Sequence, residues 1–539
     1  MGYQKSLKSF FDENKTQIMI ILFAVFSIYV WTVFFGYVNY DDAVLVDQAA
    51  AFLKNPNLDY FKLGLNSQIV VEARYFRPIL LIVYLIEVSL FGSRAFFPHF
   101  MNIILHLGVS FVLYILLKKN IKKETACVLT TLFAVHPALV HAVAWVPGRN
   151  DILLGLFSIL CLYFFTRLLT SNQLRNILYF SLFLFLSIFT KETAVVLPIL
   201  ILFYYLLFDE EKNKKVVYKL IAVAIIPAIM LGFWFILRSA LYSLNSDFFS
   251  IQFSIKDLPA LLSYWGKSVI PFHLSYYPSI RRIDYGIGAF AIVLMTLALV
   301  FLKKNNLKRN NLKWTMYGIL WFLIFLLPTF FQFGNQYFAG HVENRLYTPL
   351  IGVIFMISIL EFPLIKGTKH SMLYAFIIIF WFISIGRIMP YRNALAFWTA
   401  AAKSSAEESS VHSSLGKQYL NDSQFENAES EFKKALEINK NENHMHNNLA
   451  IVYMAQGRYD EAEKELQAEF DINPDSIEAL INYGFIKYMK KDFEKAEEFW
   501  MKAYEVAPQN PKIFKVLSEF YLRTKQDDKN NSLKPPSEN

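Results

Sequence analysis

Two adjacent carboxylates, Asp41 and Asp42, follow the first long apolar run of the chain, residues 17–38. That run has about 22 residues and no charge, enough to cross a hydrocarbon core of about 30 Å. At the centre of a bilayer each carboxylate would cost roughly 3 kcal/mol, whereas at the exit of a span, in water, the cost is small. The stretch Asn39-Tyr40-Asp41-Asp42 therefore has two readings. One is a solvated turn at a helix end. The other is a carboxylate held at the lipid–water boundary to work on a lipid-linked substrate.

Cations recur at the ends of other apolar runs. Arg74 and Arg77 occur in EARYFRP, Arg149 in VPGRND, Lys191 in FTKET and Arg345 in HVENRLYTP. Such groups can donate charge-assisted hydrogen bonds to the oxygens of a phosphate. The alternative is snorkelling or a local ion pair, and each cation has a carboxylate nearby in sequence: Glu72, Asp151, Glu192 and Glu343. Such pairing would also lower the cost of charge near a membrane. His136, His141 and His341 fall near the same ends. The first two are five apart with Pro137 between them, which is not the H-E-x-x-H metal spacing. Core packing and a contact to a donor phosphate stay open for them, and a divalent metal has no support from spacing.

The elements that must position these groups are membrane spans. Hydrophobic residues make up 55 % and aromatics 17 % of 539 residues, and the mean hydropathy is +0.33. Apolar runs fall at about 17–38, 98–117, 125–143, 151–168, 177–190, 193–208, 217–237, 286–302, 314–331, 345–361 and 371–387. The expectation is about 11 spans. The pair at 177–208 is the weakest, because Lys191-Glu192 interrupts it, and residues 79–91 read as an interfacial helix. Alternate loops carry Lys118, Lys119, Lys122 and Lys123; Arg167 and Arg175; Lys212–Lys219; Lys303–Lys313; Lys366 and Lys369. The positive-inside rule then sets the N-terminus in the cytoplasm. Asp41, Asp42 and the C-terminal part fall on the extracytoplasmic side. The net charge of +9 sits in these loops and is no nucleic-acid signal. The basic start and long apolar run read as a retained signal anchor. Cys127 and Cys161 lie in apolar runs and read as packing residues.

Past Arg387 the pattern becomes a repeat of about 34 residues, beginning near Ser409, Asn443 and Ile477. The anchor types match the tetratricopeptide pattern. The first repeat supplies Leu415, Gly416, Tyr419, Ala428, Phe432 and Ala435; the second Leu449, Ala450, Tyr453, Ala462, Leu466 and Pro474; the third Tyr483, Gly484, Ala496, Trp500, Ala503 and Pro508. Lys440, Glu469 and Lys487 depart from it. Residues 511–523 read as a capping helix, and 524–539 as a disordered tail.

The ordered set NYDD, ARYFRPILL, FPHFMNIILHL, AVHPALVHAVAWVPGRNDIL, SIFTKETAVVLP, ENRLYTPLIG and a terminal repeat array resembles the transmembrane-and-tetratricopeptide family of protein O-mannosyltransferases, as a prokaryotic relative. The resemblance covers essentially the whole chain. It implies a type C glycosyltransferase: an all-α polytopic helical bundle over 1–396, followed by a tetratricopeptide α-solenoid over 397–523. It implies a polyprenyl-phosphate sugar donor carrying a mannose-like hexose, and Asp41-Asp42 as the acidic catalytic motif. Arg77, His136, Arg149, Lys191 and Arg345 are the candidate contacts to the donor phosphate, with Asp151, Glu192 and Glu343 as supporting carboxylates. Partners would be the lipid-linked donor, membrane lipid, and a protein or peptide acceptor on the repeats. Three functions stay open at this point: transfer to protein hydroxyls, transfer to a lipid or polysaccharide, and a non-catalytic membrane-anchored scaffold.

Overall fold

The computed structural model describes residues 2–40, 42–56, 76–170, 173–208, 216–241, 251–253, 258–279, 282–304, 309–333, 343–358, 371–442 and 444–535. Asp41, Glu72, Arg74 and His341 lie outside the described residues, as do the basic positions at 212–215 and 366–369. The chain forms two compact units, Met1–Phe397 and Trp398–Asn539. Both are helical; among the described residues the sheet is one antiparallel pair, Ile251–Phe253 with Phe331–Phe333.

Among the described residues of the first unit five helices are long and apolar enough to cross a membrane: Ser9–Phe34, Phe96–Lys118, Val146–Thr170, Leu312–Phe330 and Leu373–Arg392. A sixth is the pair Lys123–Ala134 and Pro137–Ala144, bent by 48°. The chain is thus a multi-pass integral membrane protein. The count of about 11 spans is reached only by admitting shorter apolar helices, among them Pro78–Phe91, Leu174–Ile188 and Glu192–Phe208.

The breaks between these helices follow from sequence. Pro137 disfavours helical backbone at the residue before it, and His136 is extended, with φ −67° and ψ 125°. Lys191 is extended too, at φ −155°, between Ile188 and the 3-10 turn Glu192–Val196. Two charges in an apolar run thus mark a break, and the chain leaves helical geometry to place them. The segment 78–91 forms a helix with Pro78 in its first turn, where the missing N–H costs nothing. One face buries Leu80, Leu81, Tyr84 and Glu87, while Ile82, Ile86 and Leu90 stay exposed.

The second unit stacks helix pairs at the expected period. Ala428, Ala462 and Ala496 are fully buried, as are Phe432 and Leu466. Two of the three departures have physical accounts. Glu469, where a small residue was expected, is buried and accepts from the Asn447 N–H at 3.2 Å. That amide opens the helix Met445–Ala455, whose positive end favours a carboxylate. Lys487 donates to Glu463, as Tyr453 does to Glu429 and Tyr521 to Glu497. The three glutamates recur at the 34-residue period, so each repeat is pinned to the next. The tail is a correction: residues 527–532 form a short helix, and Leu533 packs into the last hydrophobic cluster.

Candidate active site

The turn that precedes Asp42 is over-determined by hydrogen bonds. Asp42 opens the helix Asp42–Lys54 and is 1 % exposed. Its Oδ2 accepts from the Val38 N–H at 2.6 Å and its Oδ1 from the Tyr40 N–H at 3.2 Å. Asn39 between them is left-handed, with φ 55°, a conformation that asparagine tolerates better than most residues. The Trp145 Nε1–H donates to the Tyr40 carbonyl at 2.7 Å, and the two rings stack at 5.2 Å with planes 19° apart.

Three of the five expected phosphate contacts come together. Arg77 Nε donates to Glu192 Oε2 at 3.0 Å, while Glu192 Oε1 accepts from the Phe76 N–H at 3.1 Å. Lys191 Nζ donates to Asp151 Oδ1 at 2.6 Å, and Asn344 Nδ2 to Asp151 Oδ2 at 2.9 Å. Arg77 and Arg345 both act electrostatically on the Lys191 ammonium, and Arg345 stands beside the Tyr264 hydroxyl. Arg77 and Lys191 are buried and Arg345 is half-buried. Among the described residues, the ion pairs in this group of three cations are with two carboxylates, Asp151 and Glu192.

Two expected contacts do not join them. Arg149 is fully buried. It donates through Nη1 to Glu87 Oε2 at 2.6 Å, through Nε to Asn102 Oδ1 at 2.9 Å and through Nη2 to the Pro98 carbonyl at 2.7 Å. Its guanidinium carbon lies 4.8 Å from the Tyr84 ring centroid. This is a core ion pair, not a ligand-facing group. His136 is likewise engaged at both nitrogens. Nδ1 accepts from the Ala138 N–H at 3.2 Å, and Nε2 lies 3.0 Å from the Ser268 carbonyl; the ring is spent on the helix break.

Among the described residues, the pairings read from sequence neighbours for Arg149, Lys191 and Glu343 are exchanged. Arg149 pairs with Glu87 and not Asp151; Lys191 with Asp151 and not Glu192; Glu192 with Arg77. Glu343, expected beside Arg345, instead pairs with Arg387 at 3.0 Å and Lys267 at 3.3 Å, and accepts from the Ser275 N–H at 2.6 Å. Residues one or two apart in a helical turn do not face each other, so such neighbours cannot bond. Lys267 also lies 3.8 Å from Asp284. Lys267, Arg387, Glu87, Asn102 and Asn344 were not singled out from sequence. A lone ionisable residue in an apolar run was the available signal, since such a group needs a partner. Glu343, Asn344 and Arg345 are consecutive, so one turn ties both clusters together.

Residues 78–234 match the family described as dolichyl-phosphate-mannose-protein mannosyltransferase, and residues 441–509 match the tetratricopeptide repeat. Over these residues the chain is similar to protein O-mannosyltransferases of the TMTC type. The mouse protein O-mannosyl-transferase TMTC1 is 31 % identical over 152 residues, covering 26 % of this chain and 16 % of that protein. A Caenorhabditis elegans protein O-mannosyl-transferase, F38B6.6, is 23 % identical over 430 residues, covering 74 % of this chain and 59 % of that protein. The chain thus spans about a sixth of the mouse relative over the match and three fifths of the nematode one. The solved structure of YrrB, a tetratricopeptide protein with an unusual peptide-binding site, is 17 % identical with a TM-score of 0.23. It covers 43 % of this chain and 97 % of its own. The description of the matched family names a lipid-linked mannose, dolichyl-phosphate mannose.

Proposed function

We propose that the protein transfers a mannose-like hexose, with inversion, from a polyprenyl-phosphate carrier to Ser or Thr hydroxyls of extracytoplasmic proteins. The N-terminus is cytoplasmic and the repeats recruit acceptors outside. The observation that carries this reading is the cation excess at Arg77, Lys191 and Arg345, drawn from three separate segments onto two carboxylates. A phosphodiester would supply the missing negative charge.

In the reaction, an acceptor hydroxyl attacks the anomeric carbon and the lipid phosphate leaves. The carboxylate of Asp41 takes the hydroxyl proton. Asp42 is unsuited to that step, because both its oxygens already accept backbone N–H bonds. Such a base contributes about 10²–10⁴-fold. The leaving phosphate needs its charge stabilised more than it needs a proton, and fixed cations do that without reorganisation. A retaining route would want two carboxylates about 5–5.5 Å apart across the bond, and Asp42 is committed elsewhere.

The test is turnover of polyprenyl-phosphate [³H]mannose with a Ser/Thr-rich synthetic peptide, on detergent-purified protein. Asp41→Asn should lose about 10²-fold or more. Arg345→Gln should weaken donor binding roughly tenfold, the loss of one charge-assisted bond of about 1.5–3 kcal/mol. Normal turnover in Asp41→Asn, or normal donor affinity in Arg345→Gln, would remove the corresponding assignment. Transfer to lipid with none to peptide would move the acceptor class.

A further inference from the structure

We propose that Trp145 is a positioning residue for the base, and that the Glu87–Arg149–Asn102 cluster holds Trp145 in register. The proposal rests on the reading of Asp41 as the base. The Tyr40 carbonyl belongs to the peptide that joins Tyr40 to residue 41. A peptide is planar, so fixing that carbonyl fixes the plane by which the chain enters the base. The Trp145 indole N–H makes this bond at 2.7 Å, and its ring covers Tyr40.

Trp145 is itself held from behind. Asn102 Nδ2 donates to the carbonyls of Val143 and Trp145, each at 3.2 Å. Asn102 Oδ1 accepts from Arg149, which is oriented by Glu87 and Pro98. Tyr84 donates to the Val146 carbonyl at 3.3 Å. The turn also closes without room for a side chain: a Cβ on Gly148 would lie 2.4 Å from the Ala142 carbonyl oxygen. Segments from the helices Pro78–Phe91 and Phe96–Lys118 and the start of Arg149–Thr170 thus hold the backbone of residues 143–146, the turn that carries Trp145. Buried charge is costly unless it is fully paired, and stability alone does not call for it here. A rigid support for the residue that fixes the Tyr40 carbonyl gives it a use.

Trp145→Phe keeps an aromatic ring on Tyr40 and deletes the N–H. Misplacing a reacting group by about 1 Å can cost about 10²-fold. Turnover of polyprenyl-phosphate [³H]mannose should therefore fall about 10- to 100-fold in kcat, with the donor KM within about twofold of wild type. Amide exchange in peptides covering residues 36–46 should speed up about tenfold, a readout that does not depend on the sugar. Asn102→Ser, which leaves the indole intact, should show a smaller loss of the same kind and carries the test if Trp145→Phe does not fold. An unchanged kcat and unchanged exchange would overturn the proposal, as would a rise in KM alone. Wild-type turnover in Asp41→Asn would sink the base assignment instead, and the two failures are told apart in one assay series.

Discussion

Arg149 offers the sharpest contrast between a ligand-binding cation and a core ion pair. It is fully buried, and its three bonds run to Glu87, Asn102 and the Pro98 carbonyl at 2.6–2.9 Å. Glu87 is 4 % exposed, and Arg149 is its salt-bridge partner. Arg149→Gln would leave that carboxylate buried without a cation. Breaking one side of a buried pair costs about 3–5 kcal/mol. For domains of 150–250 residues each kcal/mol moves the melting temperature by roughly 2–4 °C, and by less in a larger unit. We therefore expect a fall of roughly 5–10 °C. Glu87→Gln should fall by a similar amount, because it strands the guanidinium. The double variant Glu87→Gln/Arg149→Gln buries no charge and should recover at least about half of the sum, since contacting residues are not additive. The assay is the thermal loss of the monodisperse peak of detergent-purified protein, followed by carrier-lipid binding to the folded fraction. Wild-type melting in Arg149→Gln, together with donor affinity weakened tenfold, would refute the core assignment and return Arg149 to the phosphate.

Two further expectations concern the repeats. A Cβ on Gly484 would lie 2.4 Å from Trp500 Nε1, and that indole donates to the Ile481 carbonyl at 3.0 Å. Gly484→Ala should destabilise the repeat unit by about 1–3 kcal/mol, read as a selective rise in amide exchange over 477–506, while membrane-unit exchange stays as in wild type. Burial pushes the Glu463 carboxyl up, but hydrogen bonds from Lys487, Lys490 and Tyr483 outweigh it and hold the carboxyl down at about 2. A carboxylate lowered on folding stabilises above its unfolded value of about 4.3, and that contribution is lost as pH falls through the folded value. Repeat stability should therefore decline from about pH 4.5 to about pH 2, and more shallowly in Glu463→Gln. An identical pH slope in the two proteins would contradict the assignment.

What the sequence made legible was whatever has a period or a length. The repeats stood out because Gly416, Ala450 and Gly484, and Ala428, Ala462 and Ala496, recur every 34 residues at close approaches. The long spans stood out by apolar length. The charged positions were legible as types but not as pairs. Lys191 and Glu192 are neighbours in the chain, yet their partners lie 40 residues away at Asp151 and 115 away at Arg77. Period and hydropathy carry no information about which break meets which. Lys267 was missed because the helix Ala260–Val269 is too short to register as a span, and Arg387 because it closes an apolar run. The Asp41-Asp42 pair was legible as a motif, but the bonding of Asp42 was not. That bonding depends on the backbone amides of Val38 and Tyr40, which no side-chain pattern reveals.

One regularity links the buried charges to the chemistry assigned to them. Asp42, Asp151, Glu192, Asp284 and Glu343 each lie in the first turn of a helix or 3-10 turn. The N-terminal end of an α-helix carries about half a positive charge, so Asp42, Asp151 and Asp284, which open α-helices, are partly stabilised before any cation arrives. Lys191 then neutralises a carboxylate that is already favoured, Arg77 neutralises Glu192, and Arg345 enters the same cluster without a carboxylate of its own among the described ion pairs. Helix breaks in an apolar bundle move charged residues out of hydrocarbon, and the break at Lys191 brings its ammonium to Asp151, at the start of the helix Arg149–Thr170. Under the proposed function, a phosphodiester on a lipid carrier would be the anion that meets Arg77, Lys191 and Arg345, and the Asp151 helix start and the extra cation would act on it in the same direction.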